Sequence, residues 1–247
     1  MIGAVVAVAL VALIFVVQAL DRASTLTNAV AVVPPSFPPA ASATSVPVAS
    51  ASPTSSSPTS SAPALPVVAF LGDTYTAGDG ATSQALRWSS IVCADFGWAE
   101  KNFSFGGTGY STGGPSPRGT PYTARVAALV AKAPSIVIVA GGSADIESTN
   151  GPTAIKAGVT ATFTALRAAL PNATIIAESP LWSSTKPPAT LALVAADVKA
   201  AVAAVHGRYL DIGQPLVGVP AIIGPRALPN DAGHAALATA FEAAFRG

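Results

Sequence analysis

The sequence predicts an α/β fold, a three-layer α/β/α sandwich built on a parallel five-stranded sheet. Two observations carry this. Short strand-like segments alternate with longer stretches of helical period, which implies right-handed βαβ crossovers. Three of the short segments are continuous apolar runs, as expected of strands buried on both faces, and Ser135-Ile136-Val137-Ile138-Val139-Ala140 is the clearest. In chain order, strands are expected at 67–71, 102–105, 135–140, 174–177 and 209–212. Helices are expected at 83–95, 122–132, 153–170, 188–205 and 231–245. The third helix shows its period best: Ile155, Val159, Phe163, Leu166 and Leu170 share one face, and Pro171-Asn172 ends it. No internal repeat is visible.

These elements fill only residues 66–247. Ahead of them, residues 2–20 carry no charge and one strongly polar side chain, Gln18. Such a run is long enough to cross a bilayer as a helix, and no Lys or Arg precedes it as in a secretory leader. Residues 1–22 are therefore expected to form a transmembrane anchor, with a signal segment cleaved after Val17-Gln18-Ala19 as the alternative. The expected partner of this end of the chain is the membrane, and the folded domain is expected outside the cytoplasm. Residues 23–65 hold Ser, Thr, Pro, Ala and Val with no charge beyond Arg22 and no apolar period, the composition of a disordered stalk.

Composition narrows the function classes. Lys+Arg number 13 against 12 Asp+Glu, so no basic stripe argues for nucleic acid. Cys93 is the sole cysteine, which removes disulfides and cysteine-based metal sites; on an amphipathic helical stretch it reads as a buried apolar residue. No cofactor motif is present: the glycine-rich loops can cradle an anion, but neither a P-loop nor a full dinucleotide fingerprint occurs.

Four short blocks carry the chemistry. The first strand runs through Val67-Val68-Ala69-Phe70-Leu71 into Gly72-Asp73-Thr74, which delivers a hydroxyl to the rim of the sheet. The second block is Asn102-Phe103-Ser104-Phe105-Gly106-Gly107-Thr108-Gly109-Tyr110, and the third is Gly141-Gly142-Ser143-Ala144-Asp145. The fourth is Pro225-Arg226-Ala227-Leu228-Pro229-Asn230-Asp231-Ala232-Gly233-His234. In order and spacing the four blocks resemble those of the SGNH (GDSL-type) esterases and lipases, over essentially all of residues 66–247.

The resemblance implies roles. Thr74 stands where similar proteins carry the serine nucleophile, and its extra methyl restricts χ1 and crowds the attack path. Gly107 takes the oxyanion glycine position. Ala144 takes that of the oxyanion asparagine, so one donor is lost. Pro225 and Leu228 replace the aspartate and histidine that would orient and accept the proton. Asp73 is expected to support the turn.

A rival pair, Asp231 with His234, itself spells Asp-x-x-His. The Pro-Asn-x-x-Gly register puts it at the start of the last helix, where Asn230 or Asp231 is a ready N-cap, so a displaced catalytic dyad competes there with capping and packing. His206, beside Gly207, reads as a helix C-terminal surface residue. The expectation is thus a membrane-tethered SGNH-like binding module with impaired or absent hydrolysis and an acyl-ester or cell-envelope glycan ligand. The alternatives are an active esterase with Thr74 as nucleophile, and a phosphate- or nucleotide-binding domain.

Overall fold

The computed structural model describes residues 64–116, 119–183 and 186–247, Ala221 through its backbone alone. The expected anchor (1–22) and nearly all of the stalk (23–65) lie outside these residues. Among the described residues, no helix is long and apolar enough to cross a membrane.

Five strands form one parallel sheet: β1 Val67–Gly72, β2 Ala99–Asn102, β3 Ile136–Ala140, β4 Thr174–Glu178 and β5 Arg208–Leu210, in the order β2-β1-β3-β4-β5. Among the described residues, seven α-helices connect and flank them: α1 Thr74–Ala77, α2 Trp88–Phe96, α3 Tyr122–Val130, α4 Ser143–Ile146, α5 Pro152–Ala169, α6 Ala189–Ala204 and α7 Asp231–Arg246.

Period-two alternation in the strands builds two cores. Ala69, Leu71, Val137, Val139, Ile175 and Ala177 face α3, α5 and α6, where Leu129, Val159, Phe163, Leu166 and Val198 are fully buried. Val68, Phe70, Ile138, Ala140, Ile176 and Leu210 face α2 and α7. There Trp88 stands edge-on to Phe70 at 5.4 Å and lies 5.3 Å from Phe241. Cys93 packs in this second core.

Two expected elements move. The second strand is Ala99–Asn102 rather than 102–105. Its centre is Glu100 and Lys101, so an edge strand with a polar face does not show as an apolar run. The expected helix 83–95 divides into a 3₁₀ turn, Gln84–Leu86, and α2, because Arg87 between them is extended (φ −72°, ψ 146°). Its guanidinium reaches Glu100 at 3.0 Å and Ser90 at 2.9 Å.

The sheet order reverses between β1 and β3, and ligands of open α/β sheets bind at the C-terminal ends of the strands at such a switch point. Gly72 and Ala140 are paired there, and a Cβ on Gly72 would stand 2.2 Å from the Ala140 carbonyl oxygen. That close approach requires glycine and brings the two loops beyond the strands side by side.

Candidate functional site

Asp73 is the N-cap of α1, its carboxylate accepting from the Tyr75 N–H at 3.1 Å. Its other oxygen accepts from the Ser143 hydroxyl at 2.6 Å and the Ser143 N–H at 3.3 Å. One buried carboxylate thus joins the loop after β1 to the loop after β3. Burial pushes its pKa up to about 6, against the pull of these donors.

Thr74 opens α1 half-buried at the mouth of the switch point. Its hydroxyl oxygen accepts the Gly107 N–H at 2.9 Å. Gly107 has φ 71°, the left-handed conformation that lets its amide turn back toward Thr74. The donor expected to meet a substrate oxyanion is therefore engaged by the chain's own side chain.

The loop carrying Gly107 is held at both ends. Arg125 on α3 donates to the carbonyls of Phe103 and Gly72 and to the Thr108 hydroxyl. Beyond Gly107, the buried Asp145 carboxylate accepts from Tyr110 N–H at 2.7 Å, Ser111 N–H at 2.9 Å and the Ser111 hydroxyl at 2.7 Å. Asp145 is a positioning residue that the block Gly141–Asp145 presents in sequence but that was not singled out there.

A cleft of about 180 Å³ opens in front of Thr74, lined by Tyr75, Ser143, Glu147, Trp182, Ser183, Arg226, Ala227 and Leu228. Its far wall is the segment after β5. Arg226 and Ala227 have φ 62° and 56°, a left-handed pair without glycine, stabilised where Gly224 N–H donates to the Leu228 carbonyl at 2.7 Å. The Tyr75 hydroxyl donates to Ser183 Oγ at 3.0 Å, which donates to the Ala227 carbonyl at 2.5 Å. Leu228 lines the cleft together with Thr74 and presents an apolar side chain. Ala144 lies on α4, half-buried and without a side-chain donor.

Asp231 and His234, at the start of α7, contact the segment from Asp79 to Trp88. Both Asp231 oxygens accept from Thr82, the N–H at 2.8 Å and the hydroxyl at 2.7 Å. His234 is fully buried. Its Nδ1 lies 3.4 Å from the Trp88 N–H and its Nε2 3.4 Å from the Asp79 carbonyl, an arrangement that fits a neutral ring accepting at Nδ1 and donating at Nε2. Burial lowers its pKa. Asn230 is the N-cap of α7, its side chain accepting the Gly233 N–H at 3.0 Å. Replacing it with alanine is expected to cost about 1 kcal/mol, readable as a lowered urea midpoint. His206 is exposed at the end of α6 with φ 54°.

Asp79 is a nearby group that the sequence reading did not single out. Its Oδ2 and Thr74 Oγ1 stand 2.6 and 3.7 Å from where a Cβ on Gly106 would lie. Desolvation raises its pKa while the positive charge of Arg226 pulls it down. Only the fold reveals this closeness, since the helical turn of α1 brings residue 79 back beside residue 74.

A parallel sheet in this order, with a hydroxyl residue after β1 and a glycine amide aimed at it, defines an SGNH-type hydrolase fold. Residues 70–236 match the GDSL-like Lipase/Acylhydrolase family, and the chain belongs to it. No curated protein sequence matches. Solved structures do. Esterase EstA from Pseudoalteromonas sp., inhibited by monoethylphosphonate, is similar with 15% identity and a TM-score of 0.60 over 73% of this chain and 96% of that one. A family two carbohydrate esterase from Clostridium thermocellum in complex with cellohexaose is similar with 16% identity and a TM-score of 0.58, over 74% of this chain and 65% of that one. A lipolytic G-D-S-L family protein from Veillonella parvula gives 17% identity and a TM-score of 0.55, over 74% and 99%.

Proposed function

We propose that this domain is a binding module on a hydrolase fold: it holds an acyl-ester or cell-envelope glycan ligand in the Thr74 cleft and turns it over very slowly or not at all. The observation that carries this is the pair Thr74 and Leu228. The Thr74 hydroxyl is seated on the Gly107 amide, and the family's histidine position facing the same cleft holds a side chain that cannot accept a proton. The one histidine packed close behind α1 has both ring nitrogens against backbone groups. With Ala144, the site has also given up a side-chain donor, a loss that typically costs about 10²–10³ in rate.

The ligand class rests on the polar lining of the cleft and on the carbohydrate esterase among similar folds. The location rests on sequence: the uncharged run at 2–20 and the Ser/Thr/Pro-rich stretch after it suit a membrane tether with a spacer, carrying the domain outside the cytoplasm.

Hydrolysis of p-nitrophenyl acetate and butyrate, beside a Thr74→Ala variant, tests the role. Equal background rates in both are expected. Turnover lost in Thr74→Ala would instead make the protein an active esterase with Thr74 as nucleophile.

A further inference from the structure

The segment that supplies the acid–base pair in the family pattern supplies a different group here. Arg226 lies between Pro225 and Leu228, exposed and lining the cleft. Among the described residues it forms no ion pair within 4 Å. Two successive left-handed residues at 226 and 227 are uncommon without glycine, and side chains near them hold the turn: Ser183 bonds the Ala227 carbonyl and Tyr75 bonds Ser183.

The rest of the lining is polar and aromatic. Glu147, the C-cap of α4, is exposed and lines the cleft, and Ser143 and Ser183 present hydroxyl oxygens. Trp182 contributes an indole whose Nε1–H is buried and unpartnered among the described residues. The Trp182 backbone is held in place, its main-chain N–H donating to Gln214 Oε1 at 2.8 Å.

We propose that the cleft binds a carboxylate-bearing sugar, a uronic acid residue of a glycan, with Arg226 reading the carboxylate. A guanidinium matches a carboxylate in a two-pronged geometry. Glu147 and the serine oxygens are acceptors suited to ring hydroxyls, and an aromatic wall suits the apolar face of a pyranose. The small cleft has room for a sugar ring, and among its lining residues only Ala227 and Leu228 are aliphatic, a poor match for a long acyl chain. Two carboxylates oppose the ligand's charge: Glu147, which also lines the cleft, and Asp79, whose titration registers the charge of Arg226. The sugar carboxylate therefore seats on the Arg226 side, away from Glu147, and Asp79 competes for the guanidinium.

The proposal rests on the ligand-binding role above, and its test is separable from that role. The full chain is titrated calorimetrically with methyl β-D-glucuronide and methyl β-D-glucoside. The glucuronide is expected to bind about tenfold more tightly or better, a gain of about 1.4 kcal/mol. Arg226→Gln is expected to erase the preference, Arg226→Lys to keep part of it, and Asp79→Asn to enlarge it. Equal affinities, a preference retained in Arg226→Gln, or binding of neither sugar would each overturn the inference. Thr74-dependent ester turnover alongside a glucuronide preference would remove the non-hydrolytic role and leave the anion subsite standing.

Discussion

Thr74→Ser, Ala144→Asn, Pro225→Asp and Leu228→His, combined in one chain, are expected to raise p-nitrophenyl acetate hydrolysis by about 10³-fold over the wild-type protein. In a complete triad, losing the nucleophile or the base alone costs about 10⁶ in rate, so most of the gain comes from restoring both together. The asparagine adds a donor worth about 10²–10³. The expected gain falls short of the full sum because the Arg226–Ala227 turn is built for its present residues. The order of single effects also follows from geometry. Thr74→Ser alone frees χ1 but supplies no imidazole in the cleft. Leu228→His alone puts an imidazole in the cleft, yet the Thr74 hydroxyl remains on the Gly107 amide. Each single variant is expected to stay within a few-fold of background. A wild-type rate equal to that of the fourfold variant and well above that of Thr74→Ala would sink the binding-module role.

Glu178→Gln is expected to stabilise the domain at pH 7.5, because the amide stays neutral where the buried carboxyl must either charge or hold a proton against the bulk pH. Glu178 ends β4, is 1% exposed, and its Oε2 has no partner among the described residues. Burial, and then the charge of Asp73, push its pKa well above the ordinary 4.5. A carboxyl whose folded pKa is raised favours the fold at low pH and loses that contribution as pH climbs above its unfolded value. Asp73 acts in the same sense between its ordinary 3.8 and about 6. His234 acts oppositely: with its pKa lowered from 6.5, its contribution is present above that value and lost as pH falls. The wild-type profile between pH 4 and 6.5 is thus a compensation. The difference between Glu178→Gln and wild type isolates one member, and should grow steadily from pH 4.5 upward in denaturant melts. A constant difference across that range would show that the carboxyl does not titrate with folding.

Much of the architecture was legible because apolar strands announce themselves. Ile136–Ala140 is continuous and buried on both faces, and Ile155, Val159, Phe163 and Leu166 keep one helical stripe. The edge strand Ala99–Asn102 was not, since Glu100 is paired with Arg87, Ser89 and Ser90 and contributes no apolar signal. The short helices Thr74–Ala77 and Ser143–Ile146 span barely one turn each, too little for any period to register. At the site, block order pointed to Thr74 and Gly107, which the fold brings into hydrogen bond. The Asp73–Ser143 bond, the Asp145 clamp and the nearness of Asp79 to Thr74 join residues through folding of the loops, and no local pattern encodes them.

The hydroxyl relay from Tyr75 through Ser183 to the Ala227 carbonyl also has a dynamic consequence. It stitches together the loops after β1, β4 and β5, which are far apart along the chain. Each bond of the relay resists separate opening of the two loops it joins, so opening of the Ser183 loop, which makes both bonds, is coupled to the other two. Amide exchange in all three should therefore slow in step when any one of them is engaged, and a ligand contacting Arg226 alone would be felt at Tyr75.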